Sequence, residues 1–366
     1  MSSTTYSLLG KGLKLDTAEH IKSYCEEIEK FENLENIILS GNTLGVEACK
    51  ALGEALKTKK TLKVLSLSDI FTGRLLDEIP PSLTYICDAV MDHPNLVELD
   101  LSDNAFGPAG AKPLIPFLSY HTQLETLKLN NNGLGVFGAT HIAEALIAAG
   151  QKNEKEGKKS NLKTIIIGRN RLENGSSEVM AKAIGYHKES LETVRMIQNG
   201  IRPEGIANLM GGLSQCPNLI HLDLQDNTFT TSGSKALAKA LPSWPKLQIL
   251  NVGDCMLEPK GGLEVLKTLK TNPPKDLETL QLQYDELRID SAQVILELIP
   301  LIPKLKSLEL NGNQFPEDSD IVEKIKEALN DEDVLGSLSD MEELSDEEEE
   351  DEEVDELAED LEKVHI

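Results

Sequence analysis

The sequence is poor in the residues that stapled or cofactor-bearing domains rely on. Its five cysteines, Cys25, Cys49, Cys87, Cys216 and Cys255, are widely spaced and form no C-x-x-C pair. That pattern indicates neither a zinc site nor a disulfide framework and suits packing thiols in a reducing compartment. Aromatic residues make up 4% of the chain, with one tryptophan. Long apolar runs are also missing: "VILELIPLI" is short and broken by Pro300, whereas a membrane helix needs roughly 20 apolar residues. The opening "MSSTTYSLLGKGLK" lacks the apolar core of a signal peptide, so a cytoplasmic protein is expected. Positive charge is scarce as well. The 366 residues carry 36 Lys and Arg against 62 Asp and Glu, a formal charge of −26, and residues 331–366 hold 19 of those acids with a single lysine. A chain of this sign repels phosphate backbones and anionic surfaces. Nucleic acid and membrane are therefore not expected partners; a basic protein is.

Catalytic signatures are missing too. The seven histidines are scattered, and neither H-E-x-x-H nor G-x-S-x-G occurs. The "GKKS" stretch is no P-loop, because Lys152 and Lys159 stand where Gly and Ser or Thr are required. No metal site and no cofactor of its own are read from the chain, and it is not expected to be an enzyme.

What is present is a repeat. Aligned on L-x-x-L-x-L-x-x-N-x-L, ten copies begin at Leu34, Leu62, Leu96, Leu124, Leu162, Leu191, Leu219, Leu247, Leu277 and Leu305, most of them 28 to 30 residues apart. A degenerate eleventh around Leu13 and Leu15 is expected to open the array as a cap. The closely spaced leucines alternate with polar residues, which predicts a short strand with one buried face. The Asn three residues on (Asn42, Asn104, Asn132, Asn170, Asn199, Asn227, Asn313) has the amide needed to pair backbone groups of adjacent turns. Helical patterns lie between the strands, as in "GATHIAEALIAAG". The reading is an α/β leucine-rich-repeat horseshoe solenoid of ribonuclease-inhibitor type, with about 11 repeats, inner parallel strands and outer helices. Residues 1–330 form this domain, with the cap repeat near 6–33. Residues 331–366 read as a disordered acidic tail.

Two units are longer. The fourth gains "GQKNEKEGKKSN", read as a solvent-side loop after the helical pattern. The second gains six residues and breaks its template: in "LSLSDIFTGRLLDEIPPSL", Ile70 replaces the Asn and Arg74 follows a Thr-Gly step. Binding residues are sought on the strand-to-helix turns, two residues past the last strand leucine. Successive repeats place there Gly41, Asp69, Asp103, Asn131, Arg169, Gln198, Asp226, Asp254, Tyr284 and Gly312. In "LKLNNNGLG", Asn132 fills the ladder slot, while Asn130 and Asn131 are free of it. A surface Asn in a turn is usually turn chemistry.

The stretches "LSGNTLG", "SDIFTGR", "LSDNAFGP", "LNNNGLG", "GRNRLENGS", "QNGIRPEGI", "LDLQDNTFT" and "LELNGN", with the acidic tail, closely resemble the fungal Ran GTPase-activating proteins over essentially the whole chain. "SDIFTGR" and "GRNRLENG" are specific, since a general leucine-rich repeat does not demand them. The resemblance implies stimulation of GTP hydrolysis by Ran, in support of nucleocytoplasmic transport. Such activation raises a GTPase rate by roughly 10⁵, about 7 kcal/mol of barrier. It further implies a mechanism without an arginine finger: an Asn matching Asn131 orders the GTPase's own glutamine, and an arginine matching Arg74 acts from outside the phosphate site. GTP and Mg²⁺ would come with the partner, a Ran-type GTPase in its GTP form, joined in some assemblies by a Ran-binding protein. A monomer is expected. Asp69, Asp103, Asn104, Asn130, Arg169, Gln198 and Asp226 complete the expected partner surface. Two other readings compete. One is a passive scaffold or inhibitor of the ribonuclease-inhibitor kind, whose members are richer in Cys and Trp. The other is an acidic histone-binding protein, whose tail would be its working part.

Overall fold

The leucine alternation does what period two requires. The structure, a computed structural model, describes residues 4–329, 331 and 333–341. Among them, eleven three-residue strands form one parallel sheet in chain order, from Thr5–Ser7 through Thr126–Lys128 and Thr164–Ile166 to Ser307–Glu309. The register stacks like on like: Leu65 faces Leu99, Leu99 faces Leu127, Leu127 faces Ile165, and Leu250 faces Leu280. All six side chains are buried. Burying one such side chain contributes about 1.5–3 kcal/mol, and only a neighbouring repeat can supply the cover. Helices Ala18–Lys30, Val46–Leu56, Ser177–Tyr186 and Pro203–Leu213, among others, return the chain from one strand to the next on the outer layer.

The Asn ladder closes the turns. Asn170 donates from Nδ2 to the carbonyls of Leu129 and Ile167, at 2.8 and 3.1 Å, and accepts at Oδ1 from the Asn132 amide at 2.9 Å. Asn132 repeats the pattern one unit earlier, donating to Leu101 O and accepting from Asn104 N. A second column, not anticipated from the sequence, lines the opposite edge. Lys59, His93, His121, His187 and Trp244 each reach a backbone carbonyl of the preceding repeat, for example His187 Nε2 to Leu146 O at 3.0 Å and Trp244 Nε1 to Leu213 O at 2.9 Å.

Three expectations need correction. The opening repeat is built on Thr5–Ser7, with Tyr6 opposite Ile37. Leu13 and Leu15 flank its turn instead, and Lys14–Leu15 pairs with Thr43–Leu44 in a small separate sheet. Both segments show spaced apolar residues, and the sequence pattern alone favoured the wrong one. The Lys-rich insertion of the fourth unit begins as helix rather than loop: Gly135–Lys155 is continuous, with Asn153 buried and Lys152 and Lys155 in the last turn, where cations suit the helix dipole. Finally, the array does not stop at 330. Val334 O accepts from Leu308 N, Leu308 O accepts from Gly336 N, and Leu338 is buried, so residues 333–341 cover the last strand edge. The rest of the expected tail, 342–366, lies outside the described residues.

Candidate functional site

The strand-to-helix turns share one backbone feature. At the position two residues past the last strand leucine, all ten residues named above adopt left-handed φ, from 49° at Asp69 through 53° at Asn131 to 75° at Gly41. Gly41 and Gly312 accept this without cost. For other residues it is unfavourable, on the order of 1 kcal/mol, and least so for Asn and Asp. The turn thus fixes where each side chain leaves the rim. Asn131 is exposed while its neighbour Asn132 is fully buried.

Polar contacts link these side chains from repeat to repeat. Asn131 Nδ2 donates to Asp103 Oδ1 at 3.0 Å. Arg169 Nε donates to Gln198 Oε1 at 2.9 Å, and the Gln198 amide partly offsets the rise of the neighbouring Asp226 carboxyl. Partial burial, with the Asp254 charge beside it, raises the Asp226 carboxyl above its usual range. Asn131, Arg169, Gln198, Asp226, Asp254 and Met256 line an open groove of 710 Å³, together with Arg171 and Glu173. The sequence had not drawn in Arg171, Glu173 or Met256, which share the left-handed backbone at φ 55°, 50° and 52°. The signal for Arg171 and Glu173 was present in "GRNRLENG", where exposed residues alternate with the buried Asn170 and Leu172.

Arg74 is placed differently. Its side chain is 10% exposed and turns back toward the N-terminal repeats. Nη1 lies 2.6 Å from Asp16 Oδ1, Nε donates to Thr43 Oγ1 at 2.9 Å, and Nη2 donates to Thr43 O at 3.2 Å. The guanidinium holds the Asp16 carboxyl below its usual range. The insertion makes this seat possible. Gly73, at φ 78°, turns the chain, Thr72 Oγ1 donates to Asp69 Oδ1 at 2.5 Å, and Ile70 fills the Asn slot as a buried apolar residue whose amide is taken by Asn104 Oδ1. Leu75 and Leu76, next along, are each 68% exposed.

Among the remaining expected partner residues, Asp69 and Asn130 are half-buried on the rim. Asn104 does not belong with them. It is 2% exposed, and its amide is spent on Leu67 O, Leu101 O and Ile70 N. A buried amide with every atom paired serves the ladder.

Comparison with known proteins accords with this architecture. The Leucine Rich repeat family matches residues 92–114 and 215–238. The chain is similar to Ran GTPase-activating protein 1 of Saccharomyces cerevisiae, 39% identical over 340 residues, which cover 90% of this chain and 83% of that protein. It is also similar to Ran GTPase-activating protein 1 of Xenopus laevis, 40% identical over 91% of this chain and 58% of the frog protein. The ribonuclease inhibitor of Sus scrofa is 25% identical over 77% of this chain and 58% of its own length.

Proposed function

The chain belongs to the family of Ran GTPase-activating proteins, and we propose that it stimulates hydrolysis by ordering the glutamine of its partner GTPase rather than by supplying an arginine. The partner is a Ran-type GTPase carrying GTP and its Mg²⁺, met in the cytoplasm by a monomer of this chain, with or without a Ran-binding protein. No bond-breaking group is needed on the activator. The GTPase is slow because its attacking water is poorly oriented and transition-state charge is under-stabilised. A second amide that fixes the glutamine supplies orientation, and a repeat turn with a fixed backbone gives that amide its place.

The observation that carries this reading is the contrast between Asn131 and Arg74. Asn131 stands exposed on the rim, outside the ladder, beside an open groove. Arg74 is nearly covered and already committed to Asp16 and Thr43. To enter a phosphate site its guanidinium would have to abandon an ion pair and two hydrogen bonds. Its seat supports a role in holding the docking surface, and the exposed Leu75 and Leu76 beside it suit that role.

Single-turnover GTP hydrolysis by Ran, with a catalytic amount of this protein, tests the reading. The wild type should accelerate hydrolysis strongly, and Asn131→Ala should lose most of the acceleration while remaining folded. In a complex with Ran and a transition-state mimic, Asn131 should approach the glutamine, and Arg74 should make no contact at the γ-phosphate position. A guanidinium seated on the transferred group would restore the finger mechanism.

A further inference from the structure

We propose that Asp103 is a positioning residue that sets which end of the Asn131 amide faces the partner. The inference rests on the role given to Asn131 above and adds its polarity. An Asn side chain presents either a carbonyl acceptor or an NH₂ donor, and the two orientations are nearly isosteric. On an exposed turn, with no neighbour to choose between them, both would be populated. Here a neighbour chooses. Asp103 Oδ1 lies 3.0 Å from Asn131 Nδ2. A carboxylate offers acceptors only, so the NH₂ end turns to it. The Asn131 carbonyl oxygen is then directed away from Asp103, and among the described residues no protein group takes it.

The two side chains are held at this separation by backbone. Both residues are left-handed, at φ 59° and 53°. Asp103 N donates to Asn130 O at 2.8 Å, and Asn131 N donates to Gly168 O at 2.9 Å. Equivalent turns one repeat apart therefore project their side chains in parallel. The consequence for the chemistry is stereospecific. An acceptor on the activator must meet the NH₂ end of the GTPase's glutamine. That leaves the glutamine's own carbonyl oxygen to accept a hydrogen bond from the attacking water. A flipped Asn131 would present its NH₂ and draw the glutamine carbonyl away from the water. Asp103 thus excludes the unproductive pairing without touching a reacting atom.

A graded series with Ran·GTP tests this. Asp103→Gly fits the left-handed turn and removes the acceptor. Asp103→Asn keeps the shape but offers either end to Asn131, so it orients only part of the population. We expect kcat to fall about tenfold for Asp103→Gly and about threefold for Asp103→Asn, with KM within about twofold of wild type. Combined with Asn131→Ala, neither change should lower kcat further. If Asp103 merely attracted a basic partner by its charge, the two variants would be equally impaired and the loss would fall on KM. That pattern, or an equal fractional loss in the Asn131→Ala background, would overturn the proposal. Full activity of Asn131→Ala alone would instead remove the reading of Asn131 on which it rests, a separate failure read from a separate variant. Thermal unfolding of each variant distinguishes a lost fold from a lost orientation.

Discussion

Replacing Asp285 by asparagine should stabilise the array, and by an amount that grows with pH. Asp285 occupies a ladder slot that most other repeats give to Asn, and it is completely buried. Oδ1 accepts from the Cys255 amide at 3.0 Å, as an Asn oxygen would. Oδ2 sits where an Asn places its NH₂, and this buried atom has no partner. In the next repeat, Asn313 Nδ2 donates at 2.8 Å to both Leu282 O and Leu310 O. A carboxylate oxygen in that environment would face carbonyl oxygens. A protonated oxygen can donate to one of them. Burial, reinforced by the charges of Asp254 and Glu286, accordingly raises the Asp285 carboxyl well above its ordinary range, against the lowering effect of two backbone amides.

The sign follows from linkage. The folded state keeps a proton that the unfolded chain releases near pH 3.9. The contribution of Asp285 is therefore complete below that pH and is lost as pH rises, at about 1.4 kcal/mol per pH unit, until the folded carboxyl itself ionises. Asparagine carries no such proton. Its second N–H adds one ladder hydrogen bond, worth about 1 kcal/mol at any pH. Urea unfolding of wild type and Asp285→Asn at pH 4, 5, 6 and 7 measures the difference directly, since all other titrating groups are common to both. The gap should widen steadily from pH 4 upward. A gap that stays constant across that range would mean that folding does not hold the proton, and the argument would fail.

Other outcomes follow from the same geometry. Asn132→Ala should cost about 1–3 kcal/mol in urea unfolding, because it leaves Asn104 N buried and unpaired and removes one of the two amide donors to Leu101 O; Asn131→Ala should affect rate instead, and the reverse pattern would refute the assignment of the two. Burial pushes His187 down to about 4, so its folded pKa lies below the unfolded value near 6.5. Its contribution is complete above pH 6.5 and is lost as pH falls, reaching about 3 kcal/mol by pH 4; His187→Gln should flatten that part of the acid-stability curve, and an unchanged curve would exclude His187 as its source. Asp16→Asn should lower the stimulated GTPase rate in the same direction as Arg74→Ala and add nothing to it. A full rate in Asp16→Asn would show that Arg74 does not act from this seat.

The repeat was legible because its physics is periodic. One buried aliphatic side chain in most strands and one amide in most turns recur at nearly constant spacing, so each copy corroborates the others. Departures from the period were harder to place. Tyr6 stands in a strand slot that Leu, Ile or Val fills elsewhere, and Leu13 and Leu15 imitate the missing pair. Residues 333–341 cover the sheet edge and its turn through three backbone hydrogen bonds and Leu338; they run directly into the acidic stretch but carry only two acids themselves, Asp333 and Asp340. Arg74 could be picked out by its broken template. Its orientation could not, because Asp16 and Thr43 come from two earlier repeats and only stacking brings them within reach.

The left-handed turn explains why the site itself was only half visible. Asp and Asn at such a position have an ordinary reason to be there, since they tolerate the backbone better than most residues. Asp69, Asp103, Asn131 and Asp226 are therefore individually ambiguous in a sequence. Arg169, Gln198 and Tyr284 are not: at φ 55°, 50° and 57° each carries a strain that glycine would relieve. Tyr284 has a structural use, donating to Asp340 in the segment that covers the sheet edge. Arg169 and Gln198 bond to each other and line the groove wall with Asp226. Folding alone would favour glycine at those two turns. Side chains kept there against the backbone's preference are the strongest argument that the rim is shaped for a partner.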